Sequence, residues 1–530
     1  MKKIKDIKNI HIAIIIIGIL FNCISLFHPG LWFDEAYSVG IADKSFSDIW
    51  TIGGNDVHPV LYYWILHIIY IIGHSLNLSL NGIIISYRIF SGVCISILGI
   101  LGFTHIRKDF GEKVGALFSF FAYFMPIICI YSAEIRMYSL AIVTVTLTGI
   151  YAYRLFKDDS KISNWIIFCL SSLASIYTHY YGLMAAGIIN CVLLICLIRQ
   201  KRVRSIIKIL ISGVIQLIAY LPWIMCLMKQ MSNVSKGFWI GFEFPKTLYQ
   251  LIGTQFSGNL KEMVGFISVI CLYVFIIIRS LTRNHKKNCQ KENDKIKPNT
   301  EIKEKQNKNT ENDDKTKCEN LNNKIAIISI LIYFAVILAA VVITAVLKTS
   351  ILYYRYLFVI TGLFIFFISY FLGKEQNKYI IGTICLITII LSICSNYKQV
   401  KEAYDKNNML PIEYLKQNVL PEDVIVFDES NFGTGSVVAL NFTNNKQFYY
   451  NPSNWGVEEA YKAFGNQLKI YTNTDFLNEC TGRIWIIDSE NGDYYNKVYN
   501  NDDFKLISQK TIKTGYENYV YNMILVEKVK

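Results

Sequence analysis

The chain of 530 residues is 53% hydrophobic and carries 53 Lys and Arg residues against 40 Asp and Glu, which gives a formal net charge of +13. This composition excludes an ordinary soluble protein, because many windows contain the roughly 17–25 apolar residues that cross a bilayer. The charge does not indicate a nucleic-acid partner, since much of the Lys and Arg lies in short turns between apolar segments and in one polar insert. The 13 cysteines lie mostly in apolar segments without a CxxC pair, so they predict neither disulfides nor a metal site.

Apolar segments separated by basic turns predict an α-helical polytopic membrane domain over residues 1–396, with about 11 transmembrane helices. The N-terminus is basic, and no small-residue cleavage site follows the first apolar run. We therefore expect an uncleaved helix with a cytoplasmic N-terminus. Residues 58–72 are amphipathic and aromatic, which favours a helix in the membrane interface. The predicted spans with two clear ends are residues 10–26, 83–106, 114–131, 206–228, 264–278 and 379–395.

Two regions differ from this pattern. Residues 282–323 form a Lys-, Glu- and Asn-rich insert that is predicted to be disordered and cytoplasmic. Residues 397–530 have the composition of a globular domain and predict a small extracytoplasmic α/β domain. Its predicted elements are helices at 411–420 and 457–464, strands at 423–427, 483–487 and 519–526, and a turn at Gly433-Thr434-Gly435.

The chemically interesting residues all fall near helix ends on the predicted outer side. Each has a simple structural explanation: His179 could cap a helix, Arg136 could reach lipid headgroups, and Asp56 could begin a turn. Their coincidence at one membrane level instead indicates a site that handles both a proton and an anionic group. The set comprises Asp34, Glu35, Asp56, His58, Arg88, Glu134, Arg136, His179 and Arg355.

This location favours one kind of chemistry. No nucleotide sugar or ATP is present outside the membrane, so an activated group must arrive attached to a lipid, for which a polyprenyl phosphate is suited. Transfer of its sugar requires a carboxylate that takes a proton from the acceptor hydroxyl. It also requires cations that stabilise the departing phosphate, and an Arg side chain offers two parallel N–H donors for this.

Five motifs together carry a resemblance to a known superfamily. They are Asp34-Glu35, Asp56-Val57-His58-Pro59, the stretch from Tyr131 to Tyr138 (YSAEIRMY), His179-Tyr180-Tyr181-Gly182 and Arg355-Tyr356. With them the chain resembles GT-C glycosyltransferases of the bacterial branch related to protein O-mannosyltransferases and lipid A aminoarabinose transferases. Val60 replaces the second proline that usually ends the second motif. The resemblance covers residues 31–372, without the insert and without the C-terminal domain.

The resemblance implies an inverting transferase without a covalent enzyme intermediate. Asp34 would be the catalytic base, and Glu35 and Glu134 would line the acceptor pocket or assist it. The residues implied in substrate binding are Asp56, His58, Arg88, Arg136, Tyr138, His179, Tyr180 and Arg355, with His58, Arg136 and Arg355 nearest the donor phosphate. No cofactor is expected, although some members of the superfamily use a divalent ion, for which Asp34, Asp56 and Glu134 are the candidate ligands.

The expected partners are a polyprenyl-phosphate sugar donor, membrane lipids and a glycan, lipid or protein acceptor; the sequence leaves the sugar and the acceptor open. The main alternative is a transporter or flippase for lipid-linked sugars, which also needs charged residues among many helices. Its polar groups, however, should lie nearer the membrane midplane. A second alternative is a sensor that binds a ligand outside and signals through the insert, but the insert carries no catalytic motif.

Overall fold

The computed structural model describes residues 2–257, 261–295, 304–452, 458–465 and 467–529. Most of these residues are helical, and a six-stranded sheet lies near the C-terminus. The first helices are α1 Lys2–Cys23, α2 Phe33–Ala42, α3 Phe46–Gly53, α4 Leu61–Ser75, α5 Leu80–Leu101, α6 Arg107–Phe110, α7 Glu112–Phe124, α8 Pro126–Tyr131, α9 Tyr138–Lys157, α10 Ile162–Thr178 and α11 Tyr180–Arg199. The later ones are α12 Val203–Lys236, α13 Lys246–Ser257, α14 Glu262–Lys295, α15 Glu304–Leu347, α16 Thr361–Gly373, α17 Lys378–Ala403, α18 Leu410–Asn418, α19 Phe432–Asn441, α20 Glu458–Tyr461 and α21 Asp493–Val498.

The predicted fold class, a polytopic helical membrane protein with a small C-terminal α/β domain, is confirmed. Among the described residues, seven helices are long and apolar enough to cross a membrane: Leu80–Phe110, Tyr138–Lys157, Tyr180–Arg199, Val203–Lys236, Glu319–Leu347, Tyr354–Gly373 and Lys378–Ala403. Three shorter apolar helices are Ile7–Cys23, Ile162–Thr178 and Met263–Ile276. The predicted span at 114–131 is divided into α7 and α8, because Pro126 cannot donate a helical hydrogen bond and the preceding Met125 is extended. Every predicted span thus corresponds to a helix, and the number of crossings stays a prediction.

The polar insert differs from the predicted disordered segment. Helix α14 continues to Lys295, and α15 begins at Glu304, so both apolar helices extend into it. The described parts of the insert contain no Pro or Gly and are rich in Lys and Glu, which are good helix formers. A helix that already exists in the membrane can also be extended without a new nucleation step. Residues 296–303 of the insert lie outside the described residues.

The two ends of the helix bundle carry different groups. At one end, which we call the basic end, Arg154 Nε lies 2.9 Å from Asp109 Oδ2 and Arg279 Nε lies 3.0 Å from Glu375 Oε2. The other end, which we call the site end, carries Asp34 and the loop between α8 and α9. The 20 residues of α9 connect the two ends and span about 30 Å.

The sheet has the strand order β3-β2-β1-β4-β6-β5. Strands β1 to β4 run parallel to one another, and β6 is antiparallel to both β4 and β5. The strands are β1 Val424–Asp428, β2 Gln447–Tyr450, β3 Leu468–Tyr471, β4 Arg483–Asp488, β5 Phe504–Lys513 and β6 Val520–Lys528. The three predicted strands are confirmed as β1, β4 and β6, which are the ones with long apolar runs.

The turn predicted at Gly433-Thr434-Gly435 is wrong, because these residues begin helix α19. The two glycines serve close packing. A Cβ atom on Gly435 would lie 2.4 Å from the ring of Phe427, and one on Gly433 would lie 2.7 Å from the ring of Tyr519. The helix predicted at 457–464 is observed only as the short α20, and residue 457 lies outside the described residues.

The sheet domain packs against the site end through α2. The ring of Phe33 lies 4.3 Å from that of Phe432 and 5.6 Å from that of Phe464. Gly40 approaches the sheet domain so closely that a Cβ atom there would lie 2.3 Å from the carbonyl oxygen of Ala463. The helix that carries Asp34 is therefore held between the membrane helices and the C-terminal domain.

Candidate active site

Asp34 and Glu35 occupy the first turn of α2, where negative side chains interact favourably with the helix dipole. Neighbouring positions on a helix point about 100° apart, so the two carboxylates face different surroundings. Glu35 is fully buried, whereas Asp34 keeps 23% of its side chain exposed. Of this pair, only Asp34 is therefore accessible to a substrate.

Two arginines surround Asp34. Arg355 Nη1 lies 3.0 Å from Asp34 Oδ2, and Arg136 Nε lies 3.8 Å from the same oxygen. Arg136 Nη1 also donates to the backbone oxygen of Asp34 at 3.3 Å. Among the described residues, the Nε–H groups of both arginines are buried without a hydrogen-bond acceptor. Buried charged donors of this kind suit a bound anion.

Glu134 lies on the other side of Arg355, with Oε1 3.8 Å from Arg355 Nη1. Its Oε2 is buried and has no hydrogen-bond partner among the described residues. Burial raises the pKa of Glu134 to about 8; the Arg355 guanidinium opposes this shift, and the Glu35 and Asp34 carboxylates add to it. At neutral pH a carboxyl with this pKa is mostly protonated and can donate a hydrogen bond.

Replacement of Glu134 by Gln is expected to flatten the pH dependence of stability. A carboxyl with a raised pKa stabilises the fold fully below its unfolded value of 4.5, and this contribution is lost as the pH rises through about 8. Gln keeps the shape and does not titrate in this range. At about pH 8 the variant should therefore exceed the parent in stability by at least about 1.4 kcal/mol, the equivalent of one pKa unit.

Melting temperatures of the purified protein at about pH 5 and about pH 8 measure this effect. Glu413→Gln, at an exposed position of α18, serves as the control. If the melting temperature changed equally with pH in the parent and in Glu134→Gln, the carboxyl of Glu134 would not have a raised pKa.

Asp56 and Arg136 meet through Tyr63, a residue of α4 that the sequence analysis did not select. Tyr63 Oη donates to Asp56 Oδ2 at 3.4 Å and accepts from Arg136 Nη1 at 3.3 Å. Burial raises the pKa of Asp56 to about 6, against the effect of Arg136. The only sequence signal for Tyr63 was its place in the aromatic stretch after the Asp56 motif.

His58 and His179 form a pair of neutral rings next to the arginines. Their centroids are 5.0 Å apart, and the ring of Tyr356 lies 5.0 Å from that of His179. Burial and Arg136 lower the pKa of His58 well below its usual value and that of His179 to about 3. His179 Nδ1 accepts from the backbone N–H of Tyr181, so the simple capping role is present. The proton of the neutral ring is then on Nε2, which has no hydrogen-bond partner among the described residues.

A cavity of about 240 Å³ extends from these histidines between α11, α12 and α15. Its polar end contains His58 and His179. The rest is mainly apolar and includes Met184, Leu227 and Leu347. Such a cavity fits an apolar chain whose polar group lies at the histidine end.

Glu35 and Arg88 form a buried pair and are not open to a substrate. Arg88 Nη1 and Nη2 bind Glu35 Oε1 and Oε2 at 2.6 and 2.9 Å. Arg88 also donates to the backbone oxygens of His28, Gly30 and Ala133, and Glu35 accepts from the backbone N–H of Ile135. The pair thereby connects the start of α2 with the loop that carries Glu134 and Arg136.

The two predicted tyrosines have different surroundings. The ring of Tyr138 lies 5.7 Å from that of His179 and therefore joins the site. The hydroxyl of Tyr180 hydrogen-bonds Gln230 and accepts from Trp223 Nε1 at 3.2 Å, both on α12. Tyr180 lines the cavity, but its hydroxyl is occupied.

Arginine side chains lie next to two of the three candidate metal ligands. Within the described ranges, no three His, Cys, Asp or Glu side chains come together in a way that could hold a metal ion. Asp34 and Glu134, two of the candidate ligands, lie beside Arg355 instead. Arg355 is further held against the rings of Trp32 and Tyr353, with Cζ 4.7 and 5.2 Å from their centroids. The positive charge next to these carboxylates is therefore a guanidinium.

The chain is similar to known proteins in its fold and not in its sequence. No family model and no curated protein sequence matches the chain. In a search of solved structures, it is similar to ArnT from Cupriavidus metallidurans bound to undecaprenyl phosphate, with a TM-score of 0.56, 10% identity and 98% of each chain covered. The protein has the ArnT fold. At 10% identity this similarity shows the fold alone, and it agrees with the predicted GT-C-like fold class.

Two other solved structures match with lower scores. Apo ArnT from the same organism gives a TM-score of 0.46 at 9% identity, covering 98% of this chain and 97% of that one. AglB from Archaeoglobus fulgidus, an archaeal oligosaccharyltransferase in complex with an inhibitory peptide and a dolichol-phosphate, gives 0.40 at 11% identity, covering 90% and 69%. Because the ArnT fold is shared at only 10% identity, the role of each residue must be argued from the site itself.

Proposed function

We propose that the protein is a membrane glycosyltransferase that moves a sugar from a polyprenyl-phosphate donor to an acceptor hydroxyl and inverts the anomeric configuration. One observation carries the proposal. A solvent-reaching carboxylate, Asp34, lies among Arg136 and Arg355, whose buried Nε–H donors have no acceptor among the described residues. A base beside anion-binding donors is what this transfer requires.

The proposed reaction is a single displacement at the anomeric carbon. Asp34 accepts the proton of the acceptor hydroxyl while the hydroxyl oxygen forms a bond to the anomeric carbon. The bond between that carbon and the phosphate oxygen breaks, and its electron pair stays on the phosphate. Attack from the face opposite the phosphate inverts the carbon in one step, without a covalent enzyme intermediate. The charge that develops on the phosphate is stabilised by Arg136 and Arg355.

The surrounding residues fit a lipid-linked donor. The Nε2–H of His179, which has no partner in the described part of the chain, and the protonated Glu134 are further donors for the phosphate or the sugar. The adjoining cavity between α11, α12 and α15 is mainly apolar and suits the first units of a polyprenyl chain. The similar ArnT structure holds undecaprenyl phosphate, which supports the same class of donor here.

A glycosyltransferase forms a new glycosidic bond, whereas a flippase moves the intact lipid-linked sugar. The charged residues lie at one end of the helices and not near their middle, which favours an enzyme. The decisive experiment incubates the purified protein with polyprenyl-phosphate sugars labelled in the sugar, together with membrane and protein acceptors. Formation of a labelled glycosidic product supports the proposal. Movement of the intact labelled lipid across vesicles, with no product for any sugar tested, supports the flippase.

Replacement of Arg355 by Ala is expected to weaken donor binding by about 1.5–3 kcal/mol, because a charge-assisted contact to the phosphate is lost. Arg355→Lys should recover only part of this, since an ammonium lacks the planar pair of donors. Binding of a polyprenyl phosphate to the purified protein, measured by calorimetry, gives the values. Arg279→Ala, at the basic end, is the control. Unchanged affinity of Arg355→Ala would remove this residue from the donor site.

We further propose that the site end and the sheet domain face outward and that the N-terminus and the insert are cytoplasmic, because basic turns favour the inner side. In variants with a single cysteine, an impermeant thiol reagent on intact cells should not label Cys289 or Cys318. Cys480 is buried, so an exposed residue of β5, in the variant Lys510→Cys, should report the outer side. Labelling of Cys289 with protection of Lys510→Cys would invert the topology.

A further inference from the structure

We propose that Tyr516, in the turn between β5 and β6, is a positioning residue of the active site and makes the C-terminal domain part of the catalytic machinery. The inference rests on the proposed function for its kinetic part only. Tyr516 lies 481 residues after Glu35 in the sequence, yet its hydroxyl donates to Glu35 Oε2 at 3.0 Å. Along the sequence, Tyr516 is far from all five motifs that carry the resemblance.

The contact completes the hydrogen bonding of a buried carboxylate. Glu35 Oε1 accepts from Arg88 and from the backbone N–H of Ile135, and Oε2 accepts from Arg88 and from Tyr516. A buried carboxylate is stable only when such partners satisfy its oxygens. Because Glu35 directly follows Asp34, the same bonds hold the backbone from which the Asp34 side chain projects.

The ring of Tyr516 is itself held on several sides. The backbone N–H of Tyr516 donates to Asn408 Oδ1 at 2.9 Å, which ties the turn to the segment after α17. The ring of His28 lies 5.0 Å from that of Tyr516, and the Arg88 Cζ lies 5.9 Å from its centroid. The hydroxyl is therefore presented to Glu35 by a fixed side chain, which limits the entropy lost in forming the bond.

The backbone of the turn supports a specific role. Glu517 and Asn518 have φ angles of 54° and 52°. Residues other than Gly rarely adopt this left-handed backbone conformation. This turn brings a second hydroxyl to α2, because Tyr519 Oη accepts from the backbone N–H of Phe33 at 3.1 Å. Two tyrosines on one turn thus bind the two residues that flank Asp34.

Tyr516→Phe removes one hydroxyl and tests the inference in the full-length protein. The turnover number should fall by about tenfold, while the KM for donor lipid stays within about twofold, because a misdirected base slows the chemical step more than binding. Hydrogen exchange should accelerate in peptides that cover residues 31–38 and stay unchanged in those that cover β1 and β4. Tyr521→Phe is the matched control. Tyr521 lies on β6 close to the same turn, and the tyrosine that donates to Glu35 is Tyr516.

The outcomes are separable. Slower turnover with local acceleration of exchange, seen for Tyr516→Phe and not for Tyr521→Phe, supports the inference. Parental turnover and parental exchange overturn it, and so does an equal loss in both variants, which would indicate general stability of the hairpin. Should the parent transfer no sugar, the proposed function fails, and the exchange measurement alone still decides the positioning role. If Tyr516→Phe unfolds, Tyr519→Phe removes the other hydroxyl of the turn that binds α2 and undergoes the same measurements. Parental turnover and parental exchange in that variant would overturn the role of the turn.

Discussion

Replacement of Asp34 by Asn is expected to lower sugar transfer by about a hundredfold or more, the usual contribution of a general base. Asn keeps the size and the hydrogen-bonding shape of the side chain but cannot accept the hydroxyl proton. Affinity for the donor lipid should change little, since Arg136 and Arg355 remain. The turnover number and the KM, measured with a radiolabelled donor, separate the two effects.

Asp43→Asn is the matched control, because Asp43 caps the other end of the same helix and its carboxylate pairs with Lys44. It should retain the parental rate. A parental rate for well-folded Asp34→Asn would instead show that Asp34 is not the base. Glu134, the other carboxyl next to Arg355, would then be the first candidate.

Replacement of Arg88 by Met is expected to destabilise the protein by about 3–5 kcal/mol, because it leaves the Glu35 carboxylate buried without its cationic partner. Arg88 and Glu35 are exposed by only 1% and 0%, so water cannot replace the lost contacts. The loop that carries Glu134 and Arg136 should loosen as well, since Arg88 also binds the Ala133 backbone oxygen. Unfolding of the detergent-solubilised protein in denaturant measures the loss.

Arg107→Met is the control for this prediction. Arg107 pairs with Glu112 at 3.4 Å near the surface of the basic end, where an ion pair contributes only about 0–1 kcal/mol. Adding Glu35→Leu to Arg88→Met removes the buried charge and should restore part of the stability. Equal effects of Arg88→Met and Arg107→Met would contradict a buried, satisfied pair.

The location of the site could be predicted from the sequence, whereas the burial and the hydrogen-bond partners of its residues could not. Asp34 and Arg355 are 321 residues apart, and the alternation of apolar spans and basic turns was enough to place both at one end of the bundle. The resemblance implied different roles for Asp34 and Glu35, but the sequence did not show that Glu35 is buried. Which of two neighbours is buried depends on how α2 is rotated against other elements. Tyr516 gave no signal, since its partner belongs to a different domain.

The fold shows the same division. Long apolar runs predicted β1, β4 and β6, which are neighbours in the sheet. They did not predict β2 and β3, which have only four residues each, or the largely polar edge strand β5. At Gly433 and Gly435, local turn propensity gave the wrong answer because the neighbouring rings of Tyr519 and Phe427 require small residues. Local sequence patterns therefore predicted the strands with continuous apolar runs. Contacts between distant parts of the chain determined the other strands and helix α19.

The contact between α2 and the sheet domain also constrains how the two halves of the chain can evolve. Phe33 fits between Phe432 and Phe464, and Gly40 leaves no space for a side chain beside Ala463. A C-terminal domain taken from a distant homologue would bring different surfaces to the helix that holds Asp34. Substitutions at positions 33 and 40 should accordingly be inherited together with substitutions at 432, 463 and 464, and a working chimera would need to exchange α2 along with the sheet.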